Sequence, residues 1–139
     1  MSPEILARKL TLITGYLQDL QNVYSKNYTD YLKTHYAIER LIEVLVRAAV
    51  DVLFHLYSLR EEPPPVSDSA AFLRAGELSI IDAELASQLA RAAGMRNLLV
   101  HGYEKIDQQI IYNSVPWLIR DMGRFVAALS AVPEFKNAQ

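Results

Sequence analysis

Hydrophobic positions along this chain recur in alternating steps of four and three, the spacing that puts side chains on one face of an α-helix. Leu6, Leu10, Ile13, Leu17, Leu20 and Tyr24 form the first such stripe. It predicts a helix from about Pro3 to Tyr24, capped by Ser2, with Pro3 at the first helical position, where its missing N–H costs nothing. A longer stripe runs through Tyr31, His35, Ile38, Ile42, Leu45, Ala49, Val52, Leu56 and Leu59. It predicts a second helix over Asp30–Leu59 with Thr29 as cap. A short polar link around Lys26-Asn27 joins the two, so they should fold back as an antiparallel hairpin.

Glu61-Glu62-Pro63-Pro64-Pro65 then stops the helical pattern, because proline offers no N–H and disfavours a helical residue before it. Neither flank has enough apolar surface for a core of its own. The Pro-rich stretch 61–67 is therefore expected to be a loop within one domain spanning 1–139. A short helix is expected over Asp68–Ala75, stopped by Gly76. A further helix should start at Asp82 and run to about Val100, broken by Gly102. The last starts near Asp107 and reaches toward Val132, with Ile111, Val115, Leu118, Met122, Phe125 and Leu129 inward. Pro116 lies inside that pattern and predicts a kink or an interruption. No strand-like alternation is visible. The expected fold is all-α, an antiparallel bundle of four main helices plus one short one.

Composition narrows the picture. At 139 residues, 51% hydrophobic and 22% charged, the chain suits one globular core. It has no cysteine, which excludes disulfides, thiol catalysis and cysteine-held metals. No apolar run approaches the roughly 20 residues that span a bilayer, and the N-terminus lacks a basic segment followed by an apolar stretch. A cytoplasmic protein without a membrane partner is expected. The net charge of −2 argues against non-specific coating of nucleic acid but leaves room for a local site acting on one phosphodiester.

The candidate chemistry lies in Gly94-Met95-Arg96-Asn97-Leu98-Leu99-Val100-His101-Gly102-Tyr103. Arg96 continues the apolar steps Leu85, Leu89, Ala92, and a guanidinium there is costly unless paired or facing a polar cleft. His101 follows five residues on, about 140° further round an ideal helix. The spacing Arg96-x-x-x-x-His101, with Asn97 after the arginine and Tyr103 two residues past the histidine, resembles the signature of the HepT-like toxins of the HEPN superfamily. The resemblance also takes in Asp51 and His55 on the second helix, and the helix order over nearly the whole chain.

The resemblance implies a HEPN-like bundle and the toxin component of a toxin–antitoxin system: a metal-independent endoribonuclease, needing no cofactor, acting as a homodimer whose two motifs face a shared cleft. Arg96, His101 and Asn97 are then the catalytic residues, and Asp51 and His55 support them. Such chemistry needs a base for the 2′-hydroxyl, an acid for the leaving oxygen and a fixed cation for the phosphorane-like transition state, roles that histidine and arginine fit. It also implies a cognate nucleotidyltransferase antitoxin of the MntA kind, which would silence the toxin by adding AMP to Tyr103 beside His101.

Plainer readings exist for each residue. His101 suits a helix C-terminus by its dipole, and Arg96 could pair with Asp51 or a glutamate. Asp51 and His55, at i and i+4, have a spacing that permits metal binding but lack a clear third ligand, so a buried hydrogen-bonded pair is the stronger expectation. His35 reads as core or interface, and Arg120 and Arg124 as a solvated face. The rival functions are a non-catalytic HEPN module that binds a nucleotide or a partner, and a structural helical dimer.

Overall fold

The computed structural model describes residues 3–102 and 106–136. Six helices follow in order: α1 (Pro3–Val23), α2 (Tyr28–Leu59), α3 (Asp68–Glu77), α4 (Ala83–His101), α5 (Gln108–Ser130) and α6 (Pro133–Lys136). Among the described residues there is no strand, and the fold is the expected all-α bundle. α1 packs along α2, α3 packs along α4, and α5 lies against both α1 and α4. The capping role expected of Ser2 lies outside the described residues.

The helix starts follow side-chain oxygen chemistry. Asp82 caps α4 as expected, and Asp107, near which α5 was expected to start, caps that helix; they accept from the Leu85 and Gln109 amides at 2.7 and 3.0 Å. Ser67 caps α3 by accepting from the Ala70 amide at 3.0 Å. At α2 the cap is Asn27 and not Thr29. Asn27 is extended (φ −101°, ψ 119°) and its side-chain oxygen accepts from the Asp30 amide, so the helix starts two residues earlier than expected.

Two helices end in the same way, and neither on glycine. Beyond α2, Glu61 takes a left-handed φ of 59°, and the Glu62 and Glu61 amides donate back to the carbonyls of Tyr57 and Ser58. Beyond α3, Ser79 has φ 59°, and Ile80 and Ser79 donate to Ala75 and Gly76. Both are Schellman closures, which satisfy carbonyls the helix leaves unpaired. Gly76 therefore does not stop α3, as the sequence suggested, but lies inside it. A Cβ there would stand 2.7 Å from the Ala86 Cβ, so glycine is what lets α3 approach α4 this closely.

The core gathers the predicted seams. Along α5 the whole stripe from Ile111 to Leu129 is buried, and along α2 every seam position except His35 and Leu59 is buried. Of the kink or interruption expected at Pro116, the interruption is absent: α5 continues as helix across it. α6 was not foreseen. Its Phe135 is 1% exposed, and Glu134 ties it to the end of α2 by accepting from Arg60 Nε and Nη2 at 2.8 and 3.1 Å. The Pro-rich segment is strapped down as well, since Arg74 donates to the Pro63 carbonyl and lies 5.3 Å from the Tyr57 ring centroid.

Candidate functional site

Arg96 and His101 are both carried by the C-terminal half of α4, and they meet different surroundings. The buried stripe Leu85, Leu89, Ala92, Leu99 places Arg96 against α3, where its side chain is only 14% exposed. Its Nη1 pairs with Asp68 Oδ2 at 3.4 Å, while its Nε is buried without a hydrogen-bond partner. The plainer reading of Arg96 allowed a pair with Asp51 or a glutamate; the carboxylate it meets is Asp68, in the first turn of α3. His101 is exposed in the last turn of α4, and Asn97, one turn before it, is exposed too.

α4 stops where the sequence says it should. The Gly102 amide donates to the Leu98 carbonyl at 2.7 Å. A Cβ on Gly102 would lie 2.5 Å from Leu98 Cδ1 and 2.9 Å from the Leu98 carbonyl oxygen, so a side chain at 102 would force the end of the helix to shift. The chain thereby leaves α4 directly after His101. Tyr103, the expected modification site, lies outside the described residues.

Asp51 and His55 do not form the expected buried pair. Asp51 is exposed and pairs with Lys9 of α1. His55 has a buried Nε2 without a hydrogen-bond partner. Burial pushes its imidazole below the ordinary value of 6.5, and the Lys9 ammonium adds to that against a smaller opposing pull from Asp51. Among the described residues no three His, Asp or Glu side chains converge as a metal centre requires. His35 is half-buried and is held by Glu39 one turn on.

A groove of about 490 Å³ runs between α4 and α5, lined from α4 by Gln88, Arg91, Ala92, Gly94, Met95 and Leu98. On an ideal helix His101, seven residues past Gly94, falls about 20° from that residue, at the edge of the lining, while Arg96 lies on the opposite side of α4 against α3. Three large apolar side chains stand exposed along this groove: Leu98 (37%), Ile110 (59%) and Trp117 (60%). Arg120 lies over the Trp117 ring at 4.6 Å.

One charged residue of the groove escaped the sequence reading. Asp121, 6% exposed, sits between the buried Leu118 and Met122 and accepts from Arg120 Nε and Nη2 at 3.2 and 3.1 Å. The Gln88 amide, turned to satisfy both groups, donates to both of its oxygens. Arg124 pairs with Asp82 at 3.1 Å. Arg120 and Arg124 thus stay exposed, as a solvated face requires, and each also pairs with a carboxylate. The signal in the sequence was an acidic residue one position before the inward Met122, with arginines on either side.

At 28% identity the chain is similar to a tRNA nuclease HepT of Aphanizomenon flos-aquae, over 94% of this chain and 91% of that one. At 23% identity it is similar to an mRNA nuclease HepT of Shewanella oneidensis, over 92% and 98%. Its fold matches that of a tri-AMPylated Shewanella oneidensis HEPN toxin solved in complex with an MNT antitoxin, with a TM-score of 0.83, 20% identity and coverage of 92% and 98%. The family model described as "Ribonuclease HepT-like" matches residues 12–129, which take in α2 to α4, nearly all of α5 and the Arg96–His101 segment, and the chain belongs to that family.

Proposed function

We propose that this chain is the toxin of a toxin–antitoxin pair, a metal-independent endoribonuclease that works as a homodimer. The observation that carries the reading is the family match over residues 12–129 with Arg96 and His101 on the last turns of α4, one covered and charge-paired, the other exposed. Cleavage of RNA without a metal uses the 2′-hydroxyl as nucleophile. A base takes its proton, an acid protonates the departing 5′-oxygen, and a fixed cation stabilises the charge on phosphorus. Arg96 stays charged at any working pH and presents a planar fork of donors. His101 is free to move a proton, and Asn97 stands one turn away on the exposed face to orient it or to bind a phosphate oxygen.

Each copy offers one histidine at this motif, whereas the reaction needs an acid and a base. Pairing two copies supplies both. The exposed apolar groove between α4 and α5 supports that pairing, because a second copy seated there covers Leu98, Ile110 and Trp117 close to the end of α4 that carries His101. The cognate antitoxin is a nucleotidyltransferase, and AMP placed on Tyr103 sets a phosphate and a bulky nucleoside beside His101, where they obstruct the substrate.

RNA cleavage by purified protein, with a chelator present, tests the reading alongside Arg96→Ala and His101→Ala. Wild type is expected to cut and both variants to lose at least about a hundredfold in rate. Intact RNA after incubation with protein verified free of modification at Tyr103 would move the non-catalytic binding module ahead.

A further inference from the structure

We propose that Asp68 is a positioning residue for Arg96, setting the direction in which the guanidinium meets the substrate phosphate. This rests on the ribonuclease reading above and extends its machinery from α4 to α3.

A guanidinium that is 14% exposed keeps its charge, and burying that charge is costly unless a carboxylate lies against it. Among the described residues Asp68 is that carboxylate, itself 31% exposed and 3.4 Å from Nη1. Its position relative to α4 is held at successive points along the helix pair. Gly76 lets α3 close on Ala86, where any Cβ would stand 2.7 Å away. The Ser69 hydroxyl, next to Asp68, donates to the Ala90 carbonyl at 3.2 Å. Asp68 itself then engages Arg96, six residues further along α4. Ser67 caps α3 immediately before it, so the backbone under the carboxylate is fixed as well.

A single carboxylate oxygen uses one N–H of Nη1 and the Nε–H is buried, which leaves the other Nη donors of the fork for phosphate oxygens. Without Asp68 the guanidinium keeps its charge but loses the contact that selects one orientation. A misplacement of about 1 Å costs on the order of a hundredfold in rate when geometry sets the transition state. The loss therefore falls on the chemical step and not on capture of RNA, since the positive charge that attracts the strand is unchanged.

Steady-state cleavage of an RNA oligonucleotide by full-length wild type, Asp68→Asn and Asp68→Glu tests this, with sedimentation and thermal melting run on each. Glu134→Gln, which breaks the Arg60–Glu134 pair in another part of the molecule, serves as the control for loss of an ion pair. Asp68→Asn is expected to lower kcat by about tenfold or more with KM changed by less than about twofold. Asp68→Glu should recover most of the rate, and Glu134→Gln should melt lower while cutting at the wild-type rate. An unchanged kcat in Asp68→Asn, while Arg96→Ala is inactive, overturns this inference alone. Equal losses in the Asn and Glu variants, or losses that merely follow melting temperature across all variants, also overturn it. A wild type that cuts no RNA overturns it together with the ribonuclease reading.

Discussion

His55 and Asp51 show how far helical spacing alone can mislead. Four residues apart on α2, they were expected to bond to one another, yet Asp51 turns to Lys9 and His55 keeps a buried ring nitrogen without a partner. Periodicity places two side chains on one face, but the neighbouring helix decides what each of them meets. Burial and the Lys9 charge hold the imidazole below its ordinary value. The sign follows directly. Below about pH 6.5 the unfolded chain takes up a proton that the folded chain resists, so acid favours unfolding. This contribution is fully present above the unfolded value and is lost as pH falls through the lowered folded one. Melting temperatures of wild type and His55→Leu between pH 7.5 and 5 measure it: the wild-type decline should be the steeper, and parallel curves would count against the assignment. Arg96 was legible as a covered cation because it broke an apolar stripe. Its partner was not, because Asp68 stands on a different helix and is brought to Arg96 only by the packing of α3 on α4.

Among the elements, the long helices were legible and their ends less so. α2, α4 and α5 carry seams of two or more heptads, and packing rewards those seams whichever residue caps the helix. Ends depend on one or two local contacts: Asn27 outcompetes Thr29 at α2, and α3 continues through Gly76 because that glycine is needed for contact and not for a turn. α6 has four residues and no periodicity to detect; it exists because Phe135 is buried and Glu134 is bound. The Schellman closures lead to a prediction. Glu61 and Ser79 occupy left-handed positions that cost an L-residue about 1 kcal/mol relative to glycine. Glu61→Gly, at an exposed site, should therefore raise stability by roughly 0.5–1 kcal/mol, read from denaturant midpoints at constant slope. A drop would mean that the Glu61 side chain contributes more than its backbone strain removes.

At the scale of the whole molecule, the hairpin of α1 and α2 and the pair of α3 and α4 share one core, and the candidate chemistry sits at its rim rather than inside it. The sequence pointed to the segment that bears Arg96 and His101, since its string of polar and apolar residues is specific and local. It did not point to the groove beside that segment, because Leu98, Ile110 and Trp117 come from two helices and read in isolation as ordinary amphipathic positions. Trp117 is the single tryptophan of the chain, and it stands 60% exposed with a guanidinium over its ring. The indole is therefore an optical probe placed by nature at the face in question, with no competing emitter of its kind. If a second copy covers the groove, emission should move to shorter wavelength as protein concentration rises through the dissociation constant, and dilution should reverse it. A spectrum that stays constant over the concentrations at which sedimentation shows monomer passing to dimer would place the seat elsewhere. The same indole would then be left to report whatever else binds along α4 and α5.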